Sequence, residues 1–366
     1  ATIMKTPEIY DFIGIGVGPF NLGLAALTAP IDELNGLFFD KATSFDWHPG
    51  MMIEGTTLQV PFLADLVSLA DPTNPYSFLN YKKQQGHKNS LNITEDILLL
   101  RAEFNQYCQW VVEELDNVQF QSEVKQVNYN DKENLYYVEV FHQNSKKYIV
   151  YKTRKLVLGT GTAPSIPSCC AAHKDRALHS SSYLDHKEAL QTKKRLTVVG
   201  SGQSAAEIFY DLLQEIDTKN YELHWITRSS RYFPLEYTKL TLEMTSPEYV
   251  EYFYQLPAAK RDHIIEHQKH LYKGINADLI NAIFDLLYNK KLLYPNINVH
   301  LQTHSTLKEV DFDAVSNQFK LIFHQHQQDK YYALDTDGLV LATGYKYKLP
   351  EFLTNIHSRI VWDNKG

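Results

Sequence analysis

Two stretches of this chain repeat one arrangement: an apolar strand, a glycine-tight turn and the start of a helix. The first is Tyr10-Asp11-Phe12-Ile13 running into Gly14-Ile15-Gly16-Val17-Gly18-Pro19-Phe20-Asn21-Leu22. The second is Arg195-Leu196-Thr197-Val198-Val199 running into Gly200-Ser201-Gly202-Gln203-Ser204-Ala205-Ala206-Glu207-Ile208. Such a unit presents backbone N–H groups to a pyrophosphate in an open α/β sheet. Gly14 permits the first turn and Gly16 lets backbone approach phosphate, whereas the position of the usual third glycine is taken by Pro19. Alone, the first copy is also what any tight strand-to-helix turn shows. Two copies, each followed by a plausible second strand, rarely arise by chance and point to two dinucleotide-binding folds.

The second strands differ in a way that bears on the nucleotide. Leu37-Phe38-Phe39 ends in Asp40, about 20 residues past the first turn, where a dinucleotide fold places the acid that accepts ribose hydroxyls. Asp40 serves that role or caps the next turn. The strand after the second helix, Glu222 to Thr227, ends instead in Arg228, Ser229, Ser230 and Arg231. Arg228, helped by the serine hydroxyls, suits a 2′-phosphate and so NADPH over NADH; a solvated surface arginine is the alternative.

Between and after these units the pattern changes. Residues 45 to 72 are rich in Pro, Trp and Gly without periodicity and read as a long ordered loop crossing a cofactor. Glu103 to Leu115 is patterned as a helix. Val118 to Gln121, Val124 to Asn128, Tyr136 to Phe141 and Tyr148 to Tyr151 alternate as short antiparallel strands, and a separate apolar strand from Leu156 ends at Gly159-Thr160-Gly161. Pro234 to Tyr294 is helical in pattern and reads as an insertion over the nicotinamide, with helices over 247–255, 257–270 and 277–289. Strands return at Val299 to Thr303 and Phe319 to His324, and Asp337 to Tyr345 repeats the strand-then-small ending of Val157 to Gly161.

The chain's 366 residues suffice for two domains or one inserted in another. A net charge of −7 gives no footprint for nucleic acid, and no apolar run approaches a membrane span, so the chain reads as a cytoplasmic protein. Its three cysteines, Cys108 and the adjacent Cys169 and Cys170, form neither a zinc-like cluster nor a disulfide framework. His324 and His326, two apart on a strand, read as polar edge residues, and no metal site is expected.

The motifs together resemble a known family, the flavin-dependent N-hydroxylating monooxygenases of siderophore biosynthesis, which includes lysine and ornithine N-hydroxylases. The resemblance spans almost all of residues 8 to 353. It rests on the Gly14 turn, Trp47-His48-Pro49-Gly50-Met51, Gln59-Val60-Pro61-Phe62, Asp71-Pro72-Thr73, Phe78 to Tyr81, Arg101 to Phe104, Gly200 to Glu207, Ser246-Pro247-Glu248-Tyr249 and Leu341-Ala342-Thr343-Gly344-Tyr345. It implies an α/β fold with two Rossmann-like domains, the second inserted in the first, plus a small helical substrate domain. The expected partition is 1–166 and 336–366 for FAD, 167–233 and 295–335 for NADPH, and 234–294 for the helical insertion. Pro19 is then the family's own form of the FAD turn. Trp47, His48, Gln59 and Arg101 would lie around the flavin, with Thr343 and Gly344 also at FAD, and Gln203 and Ser204 would face the NADPH pyrophosphate beside Gly200 and Gly202.

Two departures from the family pattern bear on substrate and ending. The amino-acid hydroxylases carry a lysine that meets the substrate carboxylate just before Asp-Leu; this chain has Ala64 before Asp65-Leu66. A substrate-contacting asparagine before Pro-Glu-Tyr is Ser246 here. A buried carboxylate that loses its cation costs several kcal/mol, so the expected substrate is a decarboxylated one, the diamine putrescine or cadaverine, with L-lysine or L-ornithine as the alternative. The stretch Phe233 to Ser246 also looks like the diamine-acting branch. Family members run on several tens of residues past the Ala-Thr-Gly-Tyr strand, adding a strand pair and a helix. The implied chemistry is NADPH reduction of FAD, O₂ addition to give a C4a-hydroperoxyflavin, and oxygen transfer to a neutral amine, with no side chain assigned as acid or base. Assembly as a homo-tetramer or dimer is implied too. Another two-dinucleotide flavoprotein and a non-catalytic nucleotide-binding protein are the rival readings; ketone turnover would favour the former, and FAD retention without an amine-dependent product the latter.

Overall fold

The computed structural model describes residues 8–86 and 98–362. The chain divides into two units, Ala1–Trp47, Glu54–Ala163 and Lys346–Gly366 forming the first, His48–Ile53 and Pro164–Tyr345 the second.

In the first unit, β1 (Ile9–Ile15) enters α1 (Pro19–Thr28) and returns in β2 (Gly36–Phe39), parallel to β1 with Ile13 opposite Leu37. A parallel neighbour demands such a crossover. The antiparallel pair β3 (Thr57–Pro61) and β4 (Leu98–Leu100) flanks α2 (Phe78–Gln84) in sequence, and β4 leads into α3 (Arg101–Glu114). Then β5 (Val118–Gln119), β6 (Ser122–Asn130), β7 (Leu135–His142) and β8 (Lys147–Leu158) complete a six-stranded sheet of order β5-β2-β1-β8-β7-β6. Strand alternation divides its core: Phe12 and Phe38 pack with Leu22, Phe104 and Tyr107, whereas Ile13, Ile15, Leu37 and Phe39 pack with Val127, Val138, Leu353 and Ile356.

The separate strands expected at Tyr148–Tyr151 and Leu156–Gly161 are one strand, β8. Its antiparallel bonding to β7 begins at Lys147, and its parallel bonding to β1 runs from Lys152 to Leu158. The polar residues that broke the apolar pattern bond through their backbones. The one fully buried among them, Thr153, donates its hydroxyl to Tyr10 O at 3.1 Å and Lys155 O at 3.0 Å.

Short β9 (Ala163–Pro164) falls on the boundary between the units. In the second unit, β10 (Leu178–His179) and α4 (Tyr183–Gln191) precede β11 (Arg195–Val199), α5 (Gln203–Gln214) and α6 (Ile216–Lys219). β12 (Glu222–Ile226) follows, then the helical segment α7 (Lys239–Leu242), α8 (Pro247–Gln255), α9 (Ala258–His267) and α10 (Ala277–Leu293). β13 (Val299–Gln302) rejoins the main sheet; β14 (Ser305–Asp313), β15 (Gln318–Gln325) and β16 (Lys330–Thr336) make a separate antiparallel sheet, and β17 (Gly338–Leu341) returns.

The main sheet, β10-β17-β11-β12-β13, is parallel throughout. One face (Leu196, Val198, Leu223, Trp225) buries α5 through Ile208, Phe209 and Leu212, and Ile283 of α10 joins it. The other (Val199, Ile226, Leu339, Leu341) buries Phe319, Leu321 and Phe323 of β15. Residues 336–345, placed with the FAD segments from the sequence, thus lie in this unit: Leu196 stands opposite Gly338 and Val199 opposite Leu341. The strand resembles Val157–Gly161 because each lies beside the strand that feeds a glycine turn, and an ending shared by two sheets does not say which sheet it joins. Among the described residues, all three cysteines are free, and no helix is long and apolar enough to cross a membrane.

Candidate cofactor and substrate sites

The first glycine turn is built by close approach. Gly16 has φ 87°, and a Cβ there would stand 2.4 Å from Gly159 O, so strand and turn meet only through a glycine. Gly14 is closed in likewise, by the Phe38 ring. The buried Asn21 amide donates to Gly16 O at 2.7 Å and ties the first turn of α1 back to the loop. Asn21 was not singled out from sequence; a polar residue inside an otherwise apolar helix face was the available signal. Asp40 lies at the same place, its Oδ2 accepting from Val17 N–H at 2.7 Å and its Oδ1 from Ala42 N–H at 2.8 Å.

Gly18 is different: a Cβ there meets nothing within 4 Å. It is the N-cap of α1, no side chain caps that helix, and Pro19 occupies the first turn. The N-terminal N–H groups that the helix cannot satisfy itself therefore face open space, the geometry a phosphate requires. Beside them Gly16, Asp40, Gly159 and Thr160 help line a cavity of about 570 Å³, with Lys41, Lys125 and Lys348 also at its wall. The size suits a bound nucleotide portion, and these residues fit the adenosine diphosphate part of FAD.

A second group of expected flavin residues collects on α3 and the strands before it. The Trp47 N–H donates to Asn105 Oδ1 at 2.9 Å and its ring meets Phe104 edge-on at 5.2 Å. Arg101 opens α3, its N–H bonded to Thr56 O at 2.9 Å, and Gln59 lies in β3 between Thr57 and Pro61, which pair with Leu100 and Leu98. The long ordered loop expected over 45–72 contains β3 and a 3₁₀ turn at Pro49–Met51. Ala64 closes a turn, its N–H bonded to Pro61 O at 2.9 Å, and the neighbouring Asp65 carboxylate receives Val67 N, Ser68 N, Ser68 Oγ and Phe78 N. Asp65 therefore fixes the shape of the loop that carries Ala64. Lys82, a buried lysine, pairs through Nζ with Glu103 Oε1 of α3 at 2.5 Å, a contact no sequence pattern announced.

The second turn repeats the first. A Cβ on Gly200 would lie 2.3 Å from Ala342 O, whereas one on Gly202, the uncapped N-cap of α5, meets nothing within 4 Å. Ser204 stands in the first turn of α5. The Gln203 amide is engaged within the protein, Oε1 accepting from Asn276 N–H at 2.8 Å and Nε2 donating to Glu207 Oε1 at 2.9 Å, so it ties the helix start to α10. Arg228 is exposed just past β12, and the Ser229 N–H donates to Thr227 Oγ1 at 3.1 Å. This set fits a nucleotide pyrophosphate at an open helix start. Ser246 caps α8, its Oγ accepting from Tyr249 N–H at 3.2 Å.

His48, Thr343 and Gly344, expected at FAD, belong to the second unit. Thr343 Oγ1 donates to Ser165 O at 2.5 Å, and Gly344, at φ 80°, accepts at its carbonyl from Ser165 N–H at 2.9 Å. Gly50, two residues past His48, has no room for a side chain, since a Cβ would lie 1.9 Å from Ser181 O. His179 also holds Gly344: its Nε2 bonds Gly344 O at 3.0 Å while its Nδ1 accepts from Ser181 N–H at 3.1 Å. Burial lowers the His179 pKa below the usual imidazole value, and burial raises that of Tyr345, whose ring packs edge-on against it.

The model of the L-lysine 6-monooxygenase/L-ornithine 5-monooxygenase family matches residues 8–347. A putrescine N-hydroxylase of Shewanella oneidensis is 53% identical over 371 residues, covering 99% of this chain and 74% of its own. The FAD-bound crystal structure of a cadaverine monooxygenase of desferrioxamine biosynthesis from Erwinia amylovora superposes with a TM-score of 0.94 at 54% identity, covering 98% of this chain and 83% of that one. An L-lysine N6-monooxygenase of Escherichia coli is 33% identical, covering 97% of this chain and 82% of its own.

Proposed function

This chain belongs to the L-lysine 6-monooxygenase/L-ornithine 5-monooxygenase family, and from that premise we propose that it N-hydroxylates one primary amine of a small aliphatic diamine, putrescine or cadaverine. The reaction consumes the amine, NADPH, a proton and O₂ and yields the hydroxylamine, NADP⁺ and water. Its product would feed a hydroxamate siderophore. The observation that carries the choice of substrate is the nearness of relatives named for unadorned diamines over those named for lysine and ornithine. Ala64 gives the physical reason, since the cation that would meet a substrate carboxylate is missing there.

When bound, FAD with NADPH and O₂ supplies the electrophilic oxygen. The protein's part is to bind and to exclude water. The open helix start at Gly18 and the Asp40 loop would hold the FAD pyrophosphate and adenosine, with Trp47, Gln59 and Arg101 toward the flavin. The start of α5 at Gly202, with Ser204, would hold the NADPH pyrophosphate, and Arg228 and Ser229 its 2′-phosphate. An alkylammonium has no lone pair to offer, so the substrate site must favour the neutral amine; desolvation among aromatic and aliphatic side chains does so. Excluding water also protects the oxidant from unproductive collapse. Reliance on NADPH fits a cytoplasmic enzyme. We also propose that the chain assembles with copies of itself: Phe284, Tyr288 and Leu292 form an apolar stripe on α10, exposed by 67%, 62% and 66%.

The test is NADPH oxidation and hydroxylamine formation by the FAD-loaded protein with putrescine, cadaverine, L-lysine and L-ornithine. A diamine should give the highest kcat/KM with product matching NADPH consumed. An amino acid as best substrate would overturn the choice of diamine.

A further inference from the structure

Strand register gathers a second group of functional side chains far from both glycine turns. In the second unit's sheet Arg195 stands opposite Glu222 and His224 opposite His300, and Glu222 and His224 are two apart. Side chains of paired residues, and of residues two apart, share a face. All four therefore emerge together at the end of the sheet where β11 and β12 begin, opposite the end that feeds Gly200. Nucleotides in open α/β sheets bind beyond the carboxyl ends of the strands, so the established chemistry does not use this cluster.

Ligand atoms from Glu222, His224 and His300 all lie within 4.8 Å of one another. Glu222 Oε1 is 2.5 Å from His224 Nε2 and 3.8 Å from His300 Nε2, values that bracket the separation of about 3.3 Å between donor atoms around a tetrahedral zinc ion. The two rings lie nearly parallel, 19° apart with centroids at 4.5 Å. One carboxylate oxygen thus faces two imidazoles and bonds only one, because 3.8 Å exceeds hydrogen-bond reach. The other oxygen, Oε2, receives Arg195 Nη2 at 2.9 Å, which turns Oε1 toward the rings as an outer-shell partner does in metal sites. The His224 and Glu222 side chains are 10% and 19% exposed, and His300, at 51%, leaves a path for an ion and a place for a water ligand.

We propose that Glu222, His224 and His300 form a binding site for a first-row divalent metal ion, best matched to Zn²⁺. Two imidazoles and one carboxylate are a borderline donor set that suits zinc and its neighbours, whereas Mg²⁺ and Ca²⁺ require oxygen ligands. The ion links β12 to the edge strand β13, whose outer side carries no partner strand among the described residues. It acts as a clip on the NADPH unit and takes no part in oxygen transfer.

The experiment is a Zn²⁺ titration of the FAD-loaded protein against a chromophoric chelator, with thermal midpoints recorded in parallel. Expected are one ion per chain, a raised midpoint with Zn²⁺, and none with Mg²⁺ or Ca²⁺ at equal concentration. His300→Ala, at a half-exposed edge position, should weaken Zn²⁺ binding at least about tenfold and abolish the rise, and Glu222→Gln should do the same. Replacing both His324 and His326 with Gln should leave binding intact. X-ray absorption at the zinc edge should show two imidazole ligands even if a variant folds poorly. Binding that survives His300→Ala, binding lost with His324 and His326, or no stoichiometric binding would each overturn the site.

Discussion

Asp40 Oδ2 accepts the backbone N–H of Val17 at 2.7 Å, so the carboxylate that ends β2 holds the middle of the glycine turn that ends β1. Its other oxygen holds Ala42 N–H. Asp40→Ala leaves two backbone donors without their acceptor, a loss of about 1–3 kcal/mol for each that stays buried. Flavin content after gel filtration should fall well below that of the unaltered protein, and Asp40→Asn, which keeps one acceptor oxygen, should lie between them. Equal flavin content in all three would show that the turn does not depend on this carboxylate.

Gly16 and Gly18 separate packing from ligand binding. A Cβ at Gly16 collides with Gly159 O and adopts a positive φ, so Gly16→Ala should lower stability by about 1–3 kcal/mol even without FAD. Gly18→Ala meets no protein atom within 4 Å, so the FAD-free protein should unfold as the unaltered one does while FAD affinity drops. Gly202→Ala should do the same for NADPH and leave FAD bound. Denaturant unfolding of the FAD-free protein and equilibrium dialysis of each nucleotide distinguish the outcomes.

His179 makes stability depend on pH in one direction. Nδ1 accepts from Ser181 N–H and Nε2 donates to Gly344 O, so the ring is held neutral, and burial lowers its pKa. The unfolded chain then binds more protons than the folded one as pH falls through the ordinary imidazole value of about 6.5, and stability falls with it. Burial lowers His142 likewise, so it adds to the same slope. The thermal midpoint should drop between pH 7.5 and 5.5, roughly the window around that value. His179→Gln, which cannot be protonated, should start lower and drop less.

Ala64 tests the substrate reading directly. Ala64→Lys introduces a cation on the loop shaped by Asp65, and that charge repels the ammonium a diamine keeps at its unreacted end. KM for putrescine and cadaverine should rise by about tenfold or more, since about 1.4 kcal/mol suffices for that factor. Discrimination against L-lysine and L-ornithine should shrink. Unchanged KM values for all four would place Ala64 outside the substrate site.

The two nucleotide turns, the helices after them and the strands that follow were legible in the sequence because each is local. A short apolar strand, glycines where no Cβ fits and an apolar helix face leave their pattern in contiguous residues. Gly200 shows this: its closeness to Ala342 O arises across a strand pair, yet the glycine itself stands in the motif. Helix α10 runs to Leu293, beyond the expected end at 289, and Lys290 near its end donates to Gln214 O at 2.6 Å, a long-range contact that periodicity does not report.

The sequence by itself determined that this chain carries two dinucleotide folds of one family and an alanine where the family's amino-acid hydroxylases keep a lysine. Only the tertiary structure decided which sheet Gly338–Leu341 joins, that Lys147–Leu158 is unbroken, that Asn21 and His179 hold the loops, and that Glu222, His224 and His300 meet. Those are facts of strand register and long-range hydrogen bonding. Periodicity reports which face of a strand is buried, and it carries nothing about which strand lies alongside.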